Sequence, residues 1–257
     1  IHLYYNSAPI TYVLRYDQTS PTLDEISFPF RYLGKCEDTL IIGAGGGKEV
    51  RFAKHISKSD RVVAVELDPV VVQLVKSLKD HAPYIHEPGV SFIQGEGRHY
   101  LTTSESKFDH IVYALIDSPS TIAAQSMFKP ENYIYTVESF SDAVKCLSDD
   151  GLLTIYSLVN YPEGSDEFSE MALKLYRNLC EATQDPENVV LLDFSEPGKR
   201  KKSGSIFMLY QKNGIDRNRL SDFTKTGTVF SDDPNFRAAA EKVTPNYDSN
   251  PFIYIKR

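Results

Sequence analysis

Tryptophan is absent from the 257 residues, and cysteine and methionine occur three times each. Cys36, Cys146 and Cys180 are far apart and odd in number, so they supply neither a disulfide framework nor the paired spacing of a zinc site. They read as buried thiols of a protein kept in a reducing compartment, which points to the cytoplasm. No apolar run approaches the ~18 residues that a membrane-spanning helix needs, and no signal peptide is visible. Positive charge is also scarce. Lys and Arg number 28 against 35 Asp and Glu, and the net charge of −7 argues against a general nucleic-acid binder, which carries a basic face. The basic run Lys199-Arg200-Lys201-Lys202 reads as a solvated hairpin tip, with contact to an anionic partner or lipid surface as the sharper alternative. The chain starts at Ile1 rather than Met, which suggests a soluble piece of a longer protein whose missing N-terminal part carries a membrane tether.

What is present is a rhythm of short apolar runs. "LYYNS" and "ITYVLRYD" alternate apolar and polar residues and read as antiparallel strands. Asp24, Glu25, Pro29 and Gly34 punctuate the stretch that follows. From "TLIIGA" onward the pattern changes. "RVVAVELD", "VSFIQGEG", "FDHIVYALID" and "LLTIYSLV" are near-continuous apolar strands, and helical patterns lie between them: "KEVRFAKHI", "PVVVQLVKSLKDH" and "VESFSDAVKCL", the last closed by a turn at "SDDG". Such alternation predicts an α/β fold with a mostly parallel sheet covered on both faces. "NVVLLDF" and "SIFMLYQ" then form a C-terminal antiparallel hairpin. The expected organisation is an N-terminal β-hairpin region, 1–35, followed by a Rossmann-like domain, 36–257.

Four segments fall where such a sheet binds ligands, beyond the carboxyl ends of its strands. Gly43, Ala44, Gly45, Gly46 and Gly47 make a tight loop that allows close backbone approach, and the helix behind it offers N–H groups and a positive dipole end. The loop alone fits a dinucleotide, a phosphate or a nucleoside. Glu66, 19 residues after Gly47 with Leu67 beside it, is placed to accept both ribose hydroxyls, while Asp68 before Pro69 suits a helix cap. Glu96, next to Gly97, can accept from an adenine amino group. The sixth loop position is Lys48 rather than glycine, which departs from the G-x-G-x-x-G of dinucleotide enzymes. Asp117 in "LIDSPS" stands where a transferred group would meet its acceptor. It reads equally as an acid orienting an amine and as a loop cap. Of Tyr133 and Tyr135, which straddle the next helix start, one lines an acceptor pocket and the other is core.

The order of these pieces, from about residue 10 to residue 160, resembles the spermidine synthase family of class I S-adenosylmethionine-dependent transferases. "LIIGAGGGKE" is similar to its glycine loop, "AVELDP" to its ribose segment, "GEGRHYL" to its adenine segment and "LDEISFPF" to its D-E segment. "YALIDSPS", "NYIYTVESF" and "YDSNPFIY" are similar to a branch found as soluble domains of polytopic membrane proteins. The resemblance implies the class I Rossmann-like methyltransferase fold, S-adenosylmethionine, its decarboxylated form or methylthioadenosine in the cradle, a small acceptor such as an amine, and a homodimer joined through N-terminal strands.

Two departures shape the functional expectation. Authentic aminopropyltransferases carry Asp where this loop has Gly46, and a second acid where this chain has Ser120. Losing both removes about two charge-assisted hydrogen bonds of roughly 1.5–3 kcal/mol each. Losing the loop acid also removes a repulsion against the carboxylate of intact S-adenosylmethionine. On that ground the expected activity is methyl transfer, catalysed with Asp117 and Tyr133. The alternatives are aminopropyl transfer from decarboxylated S-adenosylmethionine, or a non-catalytic nucleoside-binding domain.

Overall fold

The apolar runs of the sequence become strands, and the glycine and acidic residues behind them become the turns into helices. The computed structural model describes residues 2–5, 8–15, 17, 19, 21–116, 133–161, 167–194, 203–223 and 227–251. It divides into two units, residues 1–127 with 146–151, and residues 128–145 with 152–257. The boundary expected at residue 35 lies inside the first unit.

In the first unit, β1 (His2–Tyr5) and β2 (Ala8–Tyr12) pair antiparallel, as their alternation predicts. The stretch behind them is helical, in α1 (Pro21–Ile26) and α2 (Phe28–Leu33). This departs from the punctuated connection expected there. The reason is burial: Phe28, Pro29, Phe30 and Tyr32 all enter the core, and Pro29 occupies the first turn of α2, where its missing N–H costs nothing. β3 (Asp38–Ile42), α3 (Lys48–His55), β4 (Arg61–Glu66), α4 (Pro69–Ser77), β5 (Val90–Gln94), α5 (Gly97–Thr103) and β6 (Phe108–Tyr113) follow in order. β3 pairs parallel with β4 on one side and β6 on the other, and β4 pairs parallel with β5. The resulting order β6-β3-β4-β5 puts the switch point between β3 and β6, so the loop leaving β3 opens into the crevice where such sheets bind ligands. Leu40, Ile41, Ile42, Val62 and Ala64 are almost wholly buried, as strands covered on both faces require.

In the second unit, α6 (Val137–Cys146) leads into β7 (Leu147–Asn160), whose first residues belong to the first unit. The "SDDG" expected as a turn is the start of this strand. α7 (Glu170–Thr183), β8 (Val189–Asp193), β9 (Ser203–Gln211), α8 (Arg217–Phe223), β10 (Thr228–Val229) and α9 (Pro234–Glu241) complete the chain. β8 and β9 form the expected antiparallel hairpin, and β9 also pairs antiparallel with β7. The basic run 199–202 lies outside the described residues. All three cysteines are buried. Among the described residues no helix is long and apolar enough to cross a membrane.

Candidate nucleoside cradle

The loop after β3 consumes its own amides. Gly43 N–H and Ala44 N–H donate to Val65 O at 2.9 and 3.1 Å, and Gly47 N–H donates to Ala44 O at 2.7 Å. Gly45 N–H donates to Glu66 Oε2 at 2.7 Å, and Gly46 N–H to Thr11 Oγ1 at 2.9 Å. Each of the five amides therefore has a protein partner. The N–H groups were expected from the helix behind the loop; the loop's own amides are all spent within the protein.

Two glycines are required by geometry. Gly47 takes φ 78° at the entry to α3, a left-handed conformation that costs glycine little. At Gly46 a Cβ would stand 1.9 Å from Tyr12 O, so no side chain fits while β2 lies where it does. The end of β2 is thus a wall of the cradle. Its Tyr12 ring carries Lys48 Nζ 5.5 Å from its centroid, and Lys48 in turn pairs with Glu49 at 3.1 Å, both side chains being buried. Just beyond, Tyr84 Oη donates to Leu14 O at 3.0 Å, and burial raises the Tyr84 hydroxyl above its ordinary pKa. None of these N-terminal contacts was legible in the sequence.

Glu66 ends β4 with both carboxylate oxygens held by backbone: Oε2 by Gly45 N–H, and Oε1 by Asp68 N–H at 2.9 Å. Asp68 caps α4 as expected, accepting from Val70 N–H at 2.8 Å, so Glu66 is not needed for that cap. Leu67 is 53 % exposed and offers an apolar surface beside it. On the neighbouring strand, Gln94 is in register with Glu66, and Gly95 N–H donates to Glu66 O at 2.9 Å. That register brings Glu96 and Gly97 to the same edge. Glu96 has a role the sequence did not reveal. It caps α5, its two oxygens accepting from Arg98 N–H at 2.9 Å and His99 N–H at 2.7 Å. Each oxygen retains a second lone pair, and the side chain is exposed. The first unit therefore gathers Gly43 to Gly47, Glu66, Leu67, Glu96 and Gly97 along the carboxyl edge of β3, β4 and β5.

Asp117 lies outside the described residues. In the second unit Tyr133 is 44 % exposed while Tyr135 is buried, which separates the surface tyrosine from the core one. The Tyr133 turn is tied down from the C-terminal segment. Thr136 Oγ1 donates to Asp248 Oδ1 at 2.8 Å and lies 3.2 Å from Tyr133 O.

Comparison with known proteins agrees with this layout. The model of the spermine/spermidine synthase domain matches residues 27–198. The polyamine aminopropyltransferase of Methanocaldococcus jannaschii is 26 % identical over 168 residues, covering 65 % of this chain and 51 % of the relative. The chain spans about half or less of the length of the first curated relatives it matches. A probable spermidine synthase of Corynebacterium glutamicum superposes with a TM-score of 0.65 at 16 % identity, over 94 % of this chain and 85 % of the other. A spermidine synthase in complex with the transition state analogue AdoDATO superposes with a TM-score of 0.51 at 18 % identity, over 89 % and 68 % of the two chains. These superpositions establish the class I Rossmann-like fold.

The expected methyltransferase activity is overturned by the same findings, because the matching family and curated relatives are aminopropyl-transferring ones. The expectation hung on Gly46 and Ser120; Ser120 lies outside the described residues, and for Gly46 the structure supplies a physical reason. Glycine is demanded there by the Tyr12 carbonyl, so the missing acid says nothing about the charge of the ligand. With its glycine loop, its strand-end acids and a domain match over residues 27–198, the chain belongs to the spermine/spermidine synthase family.

Proposed function

We propose that this chain transfers the aminopropyl group of decarboxylated S-adenosylmethionine to an amine. The observation that carries the reading is the state of the loop amides: all five are bonded within the protein. A carboxylate on the methionine part of the nucleoside would need such donors, and an ammonium does not. The oxygens of Tyr12 and Glu66 around the loop suit a cationic chain.

In this reading Glu66 accepts from the ribose hydroxyls, Glu96 accepts from the adenine amino group, and Leu67 covers the nucleoside. The pre-bonded glycine loop fits the group sterically, since the backbone of Gly45 and Gly46 is approached closely on the β2 side and bears no side chain on any other. When bound, the sulfonium supplies an activated carbon. The amine nitrogen attacks it, the carbon–sulfur bond breaks with its electrons moving to sulfur, and 5′-methylthioadenosine leaves. The protein's contribution is alignment of the two reactants and an amine kept unprotonated. Asp117 is the proposed acid that orients the amine and takes its proton, and Tyr133 the proposed acceptor-side residue; both assignments rest on the sequence.

The test is incubation with decarboxylated S-adenosylmethionine and a series of diamines, reading 5′-methylthioadenosine and the extended amine by mass spectrometry. Both products are expected to appear together in equal amounts. Nucleoside binding with no product from any amine would overturn the reading in favour of a binding domain without turnover.

A further inference from the structure

Among the partners of the loop amides, one comes from outside the nucleoside-binding strands. Val65 and Ala44 supply backbone carbonyls, and Glu66 is itself a nucleoside candidate. Gly46 N–H alone of the five is satisfied by the N-terminal hairpin, through Thr11 Oγ1 at 2.9 Å. The fit is close on both sides of that bond. A Cβ on Gly45 would lie 2.7 Å from Thr11 Oγ1, and one on Gly46 would meet Tyr12 O. The end of β2 therefore sets two oxygens against the loop and covers its Gly46 amide. Lys48, which follows the loop in sequence, has its charge balanced by Glu49 at 3.1 Å.

We infer that Thr11 is a specificity-determining residue: by holding the Gly46 amide it removes the donor that the carboxylate of intact S-adenosylmethionine would use, and so selects the decarboxylated nucleoside. In this chain that task falls to a hydroxyl and a carbonyl of β2, at a position where the Tyr12 carbonyl leaves no room for an acidic side chain. The inference rests on the proposed aminopropyl transfer. It adds the element that discriminates the donor.

Titration calorimetry with intact and decarboxylated S-adenosylmethionine tests it, with 5′-methylthioadenosine as the ligand lacking the carboxylate, the ammonium and the sulfonium charge. Wild type is expected to bind the decarboxylated form more tightly. Thr11→Val frees the amide and is expected to narrow that preference roughly tenfold, about what one hydrogen bond to a charged group is worth. It is expected to do so by gaining affinity for the intact form, with 5′-methylthioadenosine unchanged. Thr11→Ser, which keeps the hydroxyl, is expected to retain the wild-type ratio. If wild type shows no preference, the proposed function fails and the inference with it. If wild type shows the preference and Thr11→Val leaves it intact, the inference alone is overturned. Should Thr11→Val lose 5′-methylthioadenosine binding altogether, the Gly46 amide resonance of wild type decides. It is expected to stay in place as intact S-adenosylmethionine is added, and a shift marking capture of the carboxylate overturns the inference.

Discussion

The Thr136 hydroxyl donates to the Asp248 carboxylate at 2.8 Å, joining positions 112 residues apart in sequence. Asp248 N–H donates back to Glu138 Oε2 at 3.0 Å, and Val137 N–H donates to Asn246 O at 2.9 Å. The start of α6 and the Tyr133 turn are thus fastened by a segment beyond the family match, which ends at residue 198. Asp248→Ala is expected to cost about 1–3 kcal/mol, because a partly buried hydroxyl and a helix-start network lose an acceptor. Asp248→Asn, which keeps an acceptor oxygen, is expected to recover at least half. Urea unfolding of the three proteins measures this, and equal midpoints for wild type and Asp248→Ala would contradict the network's importance.

Gly46 tests the N-terminal wall. Gly46→Ala puts a methyl group into the Tyr12 carbonyl, and backbone rather than a flexible side chain must move. The expected cost is at least about 2 kcal/mol, with faster proteolysis of the first 15 residues. Gly46→Asp is expected to behave at least as badly, so grafting the familiar acid into this loop lowers activity. Unchanged melting and proteolysis for Gly46→Ala would show that β2 does not hold this position in solution.

Glu66 is the acid on which nucleoside binding is proposed to depend. Glu66→Ala removes the acceptor of the Gly45 and Asp68 amides together with the proposed ribose contact. The dissociation constant for 5′-methylthioadenosine is expected to rise at least about 30-fold, equivalent to about 2 kcal/mol. Glu66→Gln, retaining one acceptor oxygen, is expected to fall between. Calorimetry on both variants checks the order, and an unchanged constant for Glu66→Ala would remove Glu66 from the site.

Acid sensitivity should trace to His110. Burial pushes its imidazole down to about 3, against a smaller opposing effect from Asp109, and its ring meets Phe30 edge-on with centroids 4.7 Å apart. At neutral pH the imidazole is neutral in both folded and unfolded states. Below the ordinary value of 6.5 the unfolded chain takes up a proton that the folded protein refuses until about pH 3, so stability falls as pH drops through that window. Between pH 6.5 and pH 5 the loss from this group is expected to be about 2 kcal/mol. His110→Leu is expected to flatten the dependence of the urea midpoint on pH over this range. An equally steep dependence in that variant would assign the effect elsewhere.

Much of this architecture is legible in the sequence because its signals are local. "TLIIGA" and "RVVAVELD" announce buried parallel strands by continuous apolar character, and Asp68-Pro69 announces the start of α4. Glu66 follows from its place at a strand end, and the structure keeps it there. Short helices are less legible. α1 and α2 have six residues each, too few for a period to show, and burial of Phe28 and Phe30 decides them. The contact of Thr11 with Gly46 spans 35 residues, and no local pattern specifies which carbonyl will approach which glycine. That gap is where one of the two grounds of the functional expectation went astray. A glycine dictated by packing was read as a statement about ligand charge.

The satisfied loop has a thermodynamic consequence for recognition. A loop whose five amides are all bonded within the protein has little conformational freedom left to surrender. If the proposed nucleoside binds there, its association would proceed without the ordering entropy that a mobile phosphate-binding loop incurs, and affinity would depend on how well the molecule matches a shape already set. Discrimination between two nearly identical nucleosides is easiest for such a rigid mould, because a yielding one would re-form around either.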